Sequence, residues 1–253
     1  MHRQIALVRR PGPLLADGIV THIEASPVDV DAARRQWEGY VETLCSTGWE
    51  IREVAPADDC PDAVFIEDAA VVFDDIAVTT RPGAPSRRAE VEGMSAPLME
   101  CGLEVIDLGA GHLDGGDVLK VGRSVFVGLG GRTDTDGIEA LTHIIEPRGW
   151  TVIAVPVSRV LHLKSAITAL PDGTIIGYLP LVDDVSLFDR FRAVDEESGS
   201  HVVITGDDRL LMAASAPRTA SMLRADGYQV DLVDIAEFEK LEGCVTCLSI
   251  RVR

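Results

Sequence analysis

The sequence predicts an α/β fold built from about five repeats of strand, strand, helix, strand, arranged as one domain over residues 1–253. Two observations predict it. First, a glycine followed by a large apolar residue and then by a β-type position recurs four times: Gly48-Trp49-Glu50-Ile51, Gly102-Leu103-Glu104-Val105, Gly149-Trp150-Thr151-Val152 and Gly227-Tyr228-Gln229-Val230. Such a glycine stops a helix in the left-handed conformation, and the residues after it start a strand. Second, each of these signatures closes a stretch with helical spacing, and pairs of short β-type runs precede the later stretches.

The helical spacing is carried by Val30, Ala33, Trp37, Tyr40 and Leu44, then by Val91, Met94, Leu98 and Cys101, then by Ile138, Leu141 and Ile145. Met222 and Leu223 mark the last helix. Strand pairs fall at 70–80, 117–129, 165–179 and 202–214. Their turns are placed at Asp74-Asp75, Gly122-Arg123, Pro171-Asp172-Gly173 and Gly206-Asp207, residue types that suit hairpins. The helix near 186–193 is expected to be short or degenerate. No Pro/Gly/Ser tract or long charge run separates the units, so they read as one domain whose repeats are able to close in a ring.

Composition narrows the functional classes. Hydrophobic residues make up 46% and charged residues 25% of the chain, as in ordinary globular domains. No apolar run approaches the ~20 residues of a membrane span, and the short apolar start IALV reads as a strand rather than a signal segment. The expectation is therefore a cytoplasmic protein. A net charge of −18 argues against nucleic acid and anionic membranes as partners, and suits a cationic small molecule. Five cysteines, an odd number, read as reduced thiols.

Five stretches place polar residues where the periodic pattern calls for apolar ones. Asp62, Glu67 and Asp68 close an apolar run read as a strand, in which Asp62 and Asp68 share parity. Converging carboxylates suit a metal or a guanidinium; taken alone, the stretch also fits a solvated acidic loop. Asp114-Gly115-Gly116-Asp117 offers a tight turn and an acid beside it, without a dinucleotide fingerprint. His162 lies between leucines, where a lone His is more often a satisfied core residue and matters only with a nucleophile and an orienting acid, whereas His2, His22, His112, His143 and His201 sit at ends, turns or on a helix. Cys244 and Cys247 have C-x-x-C spacing but no second ligand pair for zinc. The segment 246–252 reads as a terminal strand, on which the two cysteines have opposite parity, leaving one as a candidate nucleophile. Arg81, Arg87, Arg88 and Arg132 stand at loop-to-helix junctions, where arginine is able to grip a carboxylate or simply be exposed.

Together FIEDAAVV, TRPGAPSRR, LDGGDV, VFVGLGGRT, LHLKS and GCVTCLS resemble, in order and spacing, the dimethylarginine dimethylaminohydrolases of the guanidino-modifying (pentein) superfamily, from Ile5 to Val252. The resemblance implies a five-bladed α/β propeller with a central active site, and hydrolysis of methylated arginine to citrulline. It implies Cys247 as nucleophile, His162 as general acid/base and Asp114 as its orienting acid. Asp62, Glu67 and Asp68 then surround the guanidinium. Arg87 and Arg132 hold the α-carboxylate, and Leu241 offers a backbone carbonyl to the α-amine. A lid at about Pro11–Ala25 contributes an apolar contact near Val20. No metal or organic cofactor is implied, and the partner is a small guanidino molecule; the oligomeric state, monomer or homodimer, stays open. The alternatives are arginine deiminase, amidinotransferase or, in a different class, a non-enzymatic binding protein of the same fold.

Overall fold

The structure, a computed structural model, describes residues 4–253; His2 lies outside the described residues. Among the described residues fifteen strands form five separate three-stranded sheets, each with one antiparallel and one parallel pairing. In the first, β1 (Ile5–Val8) runs parallel to β2 (Glu50–Glu53), joined by helix α1 (Val30–Ser46). The second holds β3 (Ala70–Phe73), β4 (Ile76–Thr79) and β5 (Glu104–Asp107), with helix α2 (Ser95–Glu100) in the crossover. The third holds β6 (Val118–Val121), β7 (Ser124–Leu129), helix α3 (Thr135–Ile145) and β8 (Thr151–Pro156). The fourth holds β9 (Ile167–Ala169), β10 (Ile175–Gly177) and β11 (Phe191–Ala193). The fifth holds β12 (Val202–Ile204), β13 (Arg209–Ala213), helix α4 (Pro217–Ala225) and β14 (Gln229–Val233). After a short helix, α5 (Ala236–Glu239), the chain returns as β15 (Ile250–Val252), which pairs antiparallel with β1 and completes the first sheet.

The core shows that these sheets close a ring. Alternate residues of a strand face opposite sides, so Ala6 and Val8 pack with Val203, Leu211 and Val233 of the fifth sheet, while Ile5 and Leu7 pack with Ala70, Val72 and Ala77 of the second. Val71 and Phe73 join Val125 and Val127 of the third sheet. Leu119 and Phe126 join Ile167 and Ile175 of the fourth, and Ile176 joins Leu210 and Met212 of the fifth. Five apolar clusters thus link five neighbouring pairs, the last to the first. Helices α1 and α3 pack their predicted stripes inward, Ala33, Trp37, Tyr40 and Leu44 on the first and Ile138, Leu141 and Ile145 on the second. Burial of one such large side chain contributes about 1.5–3 kcal/mol.

Gly48, Gly102, Gly149 and Gly227 all have φ between 83° and 100°, the left-handed stop that the repeat signature predicts. Asp29 and Asp134 cap α1 and α3 by accepting from Ala32 N–H and Gly137 N–H. The fourth unit's helix is degenerate, as expected: only the single-turn 3₁₀ segments Leu179–Leu181 and Val185–Leu187 stand there. Two expected strands differ. The stretch 62–68, read as a strand, is a turn followed by the 3₁₀ segment Ile66–Ala69, and the terminal strand begins only at Ile250.

Candidate active site

Each sheet is entered through a short turn, and these turns are joined in series. Glu67 N–H donates to Cys247 O at 3.1 Å. Gly116 N–H donates to Asp68 Oδ1 at 2.7 Å, Leu163 N–H to Asp117 Oδ1 at 2.8 Å, and His201 Nε2 lies 2.8 Å from Ser165 O. Four of the five turns carry a candidate functional residue just before the first strand: Asp68 before β3, Asp114 before β6, His162 before β9 and Cys247 before β15. The paired glycines of the second of these turns are needed for contact. A Cβ at Gly115 would lie 2.0 Å from Glu67 O, and one at Gly116 would lie 2.7 Å from the His162 ring.

Cys247, His162, Asp62, Asp68, Arg87, Arg132 and Leu241 line one cavity, with Phe65 and Leu161 as apolar wall. Its free volume is only about 10 Å³, room for one water, so the site is narrow. Ile19 and Glu242 form part of the cover. Asp62 accepts Ile19 N–H, while the Glu242 carboxylate accepts Thr21 N–H and His22 N–H, both at 2.7 Å. The segment expected to be a lid is therefore tied down by two carboxylates.

His162 Nε2 lies 2.9 Å from Asp114 Oδ2 and 3.9 Å from Asp68 Oδ1. Burial alone would lower the imidazole pKa; Asp68, then Asp114 and Asp117, outweigh it and raise it to about 9. Asp68 moves the other way. Burial pushes its carboxyl up, but His162 and Arg87 hold it well below the usual range. Asp114 Oδ1 accepts Gly83 N–H at 2.9 Å, which fixes the carboxylate that orients the ring. Asp62 is pushed up, chiefly by burial, against the pull of Arg87.

Cys247 sits in a turn in which its N–H donates to Cys244 O at 3.1 Å, and the two sulfurs are 3.3 Å apart. Strand parity therefore does not hold here, and both thiols share one place. The hydrogen bond with Cys244, then burial, then the charges of Glu67 and Asp68 push the Cys247 thiol up. A cation arriving in the cavity reverses the charge contribution.

Several expected residues stand differently from the rest. Arg87 lines the cavity, yet most of its donors are spent: on Glu90, on Asp68 at 2.6 Å and on the carbonyls of Asp62 and Phe65. Arg132 Nη1, in contrast, is buried with no hydrogen-bond partner and lies 3.5 Å from Asp114. The Glu67 carboxylate points to the other side of the turn, where Lys164 at 2.6 Å and Arg251 at 2.9 Å pair with it. There it lines a separate cavity of about 340 Å³ with Lys120 and Arg253. Val20 packs on the apolar core, and its neighbour Ile19 meets the cavity.

Sequence reasoning missed Asp117 and Glu90. Asp117 receives Thr133 Oγ1–H at 2.6 Å and Leu163 N–H, so it seats the His162 turn. Burial pushes its carboxyl up to about 6. Its signal was the second acid in the Asp-Gly-Gly-Asp run. Asp68, Asp114 and His162 also place one ligand atom each within 4.8 Å of one another, a cation-binding set. Their oxygens already serve Arg87, Gly116, Gly83 and His162.

The family model for arginine deiminase matches residues 58–215, more than half of the chain. The N(G),N(G)-dimethylarginine dimethylaminohydrolase of Streptomyces coelicolor is 60% identical over 98% of this chain and 96% of its own length. The enzyme of that name from Pseudomonas aeruginosa is 30% identical over 97% of this chain and 98% of its own. A solved structure of the Pseudomonas aeruginosa protein, a Cys-to-Ser mutant complexed with citrulline, superposes with a TM-score of 0.91 at 28% identity and covers 100% of both chains. With five sheets closed in a ring and relatives matched along nearly the whole sequence, this chain belongs to the dimethylarginine dimethylaminohydrolase family.

Proposed function

We propose that this chain hydrolyses Nω-methylated L-arginine to L-citrulline, releasing dimethylamine or methylamine. The observation that carries the reading is one cavity lined by Cys247, His162, Asp68 and Arg132, with His162 hydrogen-bonded to Asp114. Asp62 and Asp68 hold the planar cation. Arg132, with its unpaired donor, takes the α-carboxylate, seconded by Arg87, and Leu241 offers its carbonyl to the α-amine. Phe65, Leu161 and Ile19 supply apolar surface for the methyl groups.

The bound guanidinium and the imidazolium of His162 favour the Cys247 thiolate. The thiolate attacks the guanidinium carbon. His162 gives its proton to the departing amine, leaving a thiouronium on Cys247. Now neutral, His162 takes a proton from water, which attacks the same carbon; citrulline leaves and the thiol is restored. Asp114 keeps the ring oriented and stabilises its charged form. No step in this scheme calls for a metal or organic cofactor.

The free state of all five cysteines suits a reducing compartment, and we place the protein in the cytoplasm. No described helix is long and apolar enough to cross a membrane. The charge of −18 supports a small cationic partner over nucleic acid or anionic lipid.

A citrulline assay across asymmetric dimethylarginine, monomethylarginine and arginine tests the reading. Turnover of the methylated substrates is expected; turnover confined to arginine would install the deiminase activity that the family model names. Replacing Arg132 by Leu is expected to raise KM roughly 10²-fold, the cost of leaving a buried carboxylate unpaired, while kcat changes far less. Steady-state kinetics on monomethylarginine reads both constants.

A further inference from the structure

We propose that Cys244 and Cys247 form a reversible disulfide, with a hydroperoxide as oxidant, that masks the nucleophile. The two sulfurs are 3.3 Å apart. The turn bond from Cys247 N–H to Cys244 O keeps the two Cα atoms within about 7 Å. Disulfides span Cα separations of ~4.4–6.8 Å, which a turn of this kind permits, and the sulfurs need to approach by roughly 1.3 Å. Side-chain rotation within the turn is enough. The mechanism gives Cys244 no task, and the side chain is buried.

Cys247 lines the cavity and Cys244 does not, so the oxidant meets Cys247 first. The Cys247 sulfur gives up its proton and attacks one peroxide oxygen: an S–O bond forms, the O–O bond breaks, and the leaving alkoxide or hydroxide takes up that proton. Cys244 sulfur then attacks the sulfenic sulfur. The S–S bond forms, the S–O bond breaks, and hydroxide leaves with the Cys244 proton as water. Two thiols lose two electrons, and the peroxide is reduced to an alcohol or water. A dithiol reverses the change.

The loss of activity rests on Cys247 being the nucleophile; the cross-link itself does not. Hydrogen peroxide is added to the whole protein, followed by non-reducing peptide mapping and a citrulline assay. The expected result is a peptide that joins Cys244 to Cys247, lighter by two hydrogens, with turnover lowered about tenfold or more and restored by dithiothreitol. In Cys244→Ser the link is absent, and dimedone traps sulfenic acid on Cys247. Wild-type protein that instead carries dimedone or sulfinic acid on Cys247, with no linked peptide, overturns the proposal. A linked peptide in a protein that never releases citrulline supports the disulfide and removes the functional reading alone.

Discussion

Replacing Cys247 by Ser is expected to lower citrulline release by about 10⁴-fold or more while binding of dimethylarginine persists. The change alters one atom in a turn fixed by the backbone bonds of Cys247 to Cys244 and Glu67, so the cavity keeps its shape. Asp62, Asp68 and Arg132 still meet the substrate. What is lost is ionisation. A serine hydroxyl is far less acidic than a thiol, and neither the imidazolium nor the guanidinium brings it within reach of neutral pH. Single-time-point citrulline assays at high enzyme concentration, paired with calorimetric binding, separate the two effects. Wild-type turnover in the variant would remove Cys247 from the chemistry altogether.

Loss of His162 is expected to cost about 10³-fold or more, since it supplies a proton in one half-reaction and removes one in the other. The pH dependence carries its signature. With a pKa near 9, His162 is protonated throughout the neutral range and is ready to act as an acid. As pH rises through about 9 the ring loses that proton, so kcat/KM should fall on an alkaline limb centred there. Asp68, Asp114 and Asp117 are the groups that lift this value. Asp114→Asn removes one of those charges, so its limb should move to lower pH. It should also slow turnover less than loss of His162 or Cys247, because it acts through orientation. A profile in Asp114→Asn with its limb unmoved would contradict this account of His162.

The ring was legible wherever period and turn chemistry agree. The four glycine stops, the hairpin turns at Asp74-Asp75 and Gly122-Arg123, and the stripes of α1 and α3 all follow from local rules. The site was legible only through the combination of its motifs. Its residues lie on turns, and on a turn the period of two has no meaning. That is why strand parity set Cys244 and Cys247 apart although their sulfurs are 3.3 Å from each other, and why Asp62 and Asp68 share the cavity through a turn and not through a strand face. Buried polar support was the hardest part to read. Glu90 beneath Arg87 and Asp117 beside Leu163 are ordinary acids in the sequence, and only burial shows that their charges have internal partners. Glu67, adjacent to Asp68, faces Lys164 and Arg251 because successive residues of a 3₁₀ turn point about 120° apart.

The antiparallel pairing of β15 with β1 has a consequence for how the catalyst comes into being. The reactive sulfur lies just before a strand whose partner residues, such as Leu7 for Ile250, are more than 240 positions away in sequence, a contact with a large entropy of closure. Until that seam zips, the imidazole and the acids have nothing to act on. A nascent or partly unravelled molecule thus carries every acid and base of the site but exposes no armed thiolate to the cell.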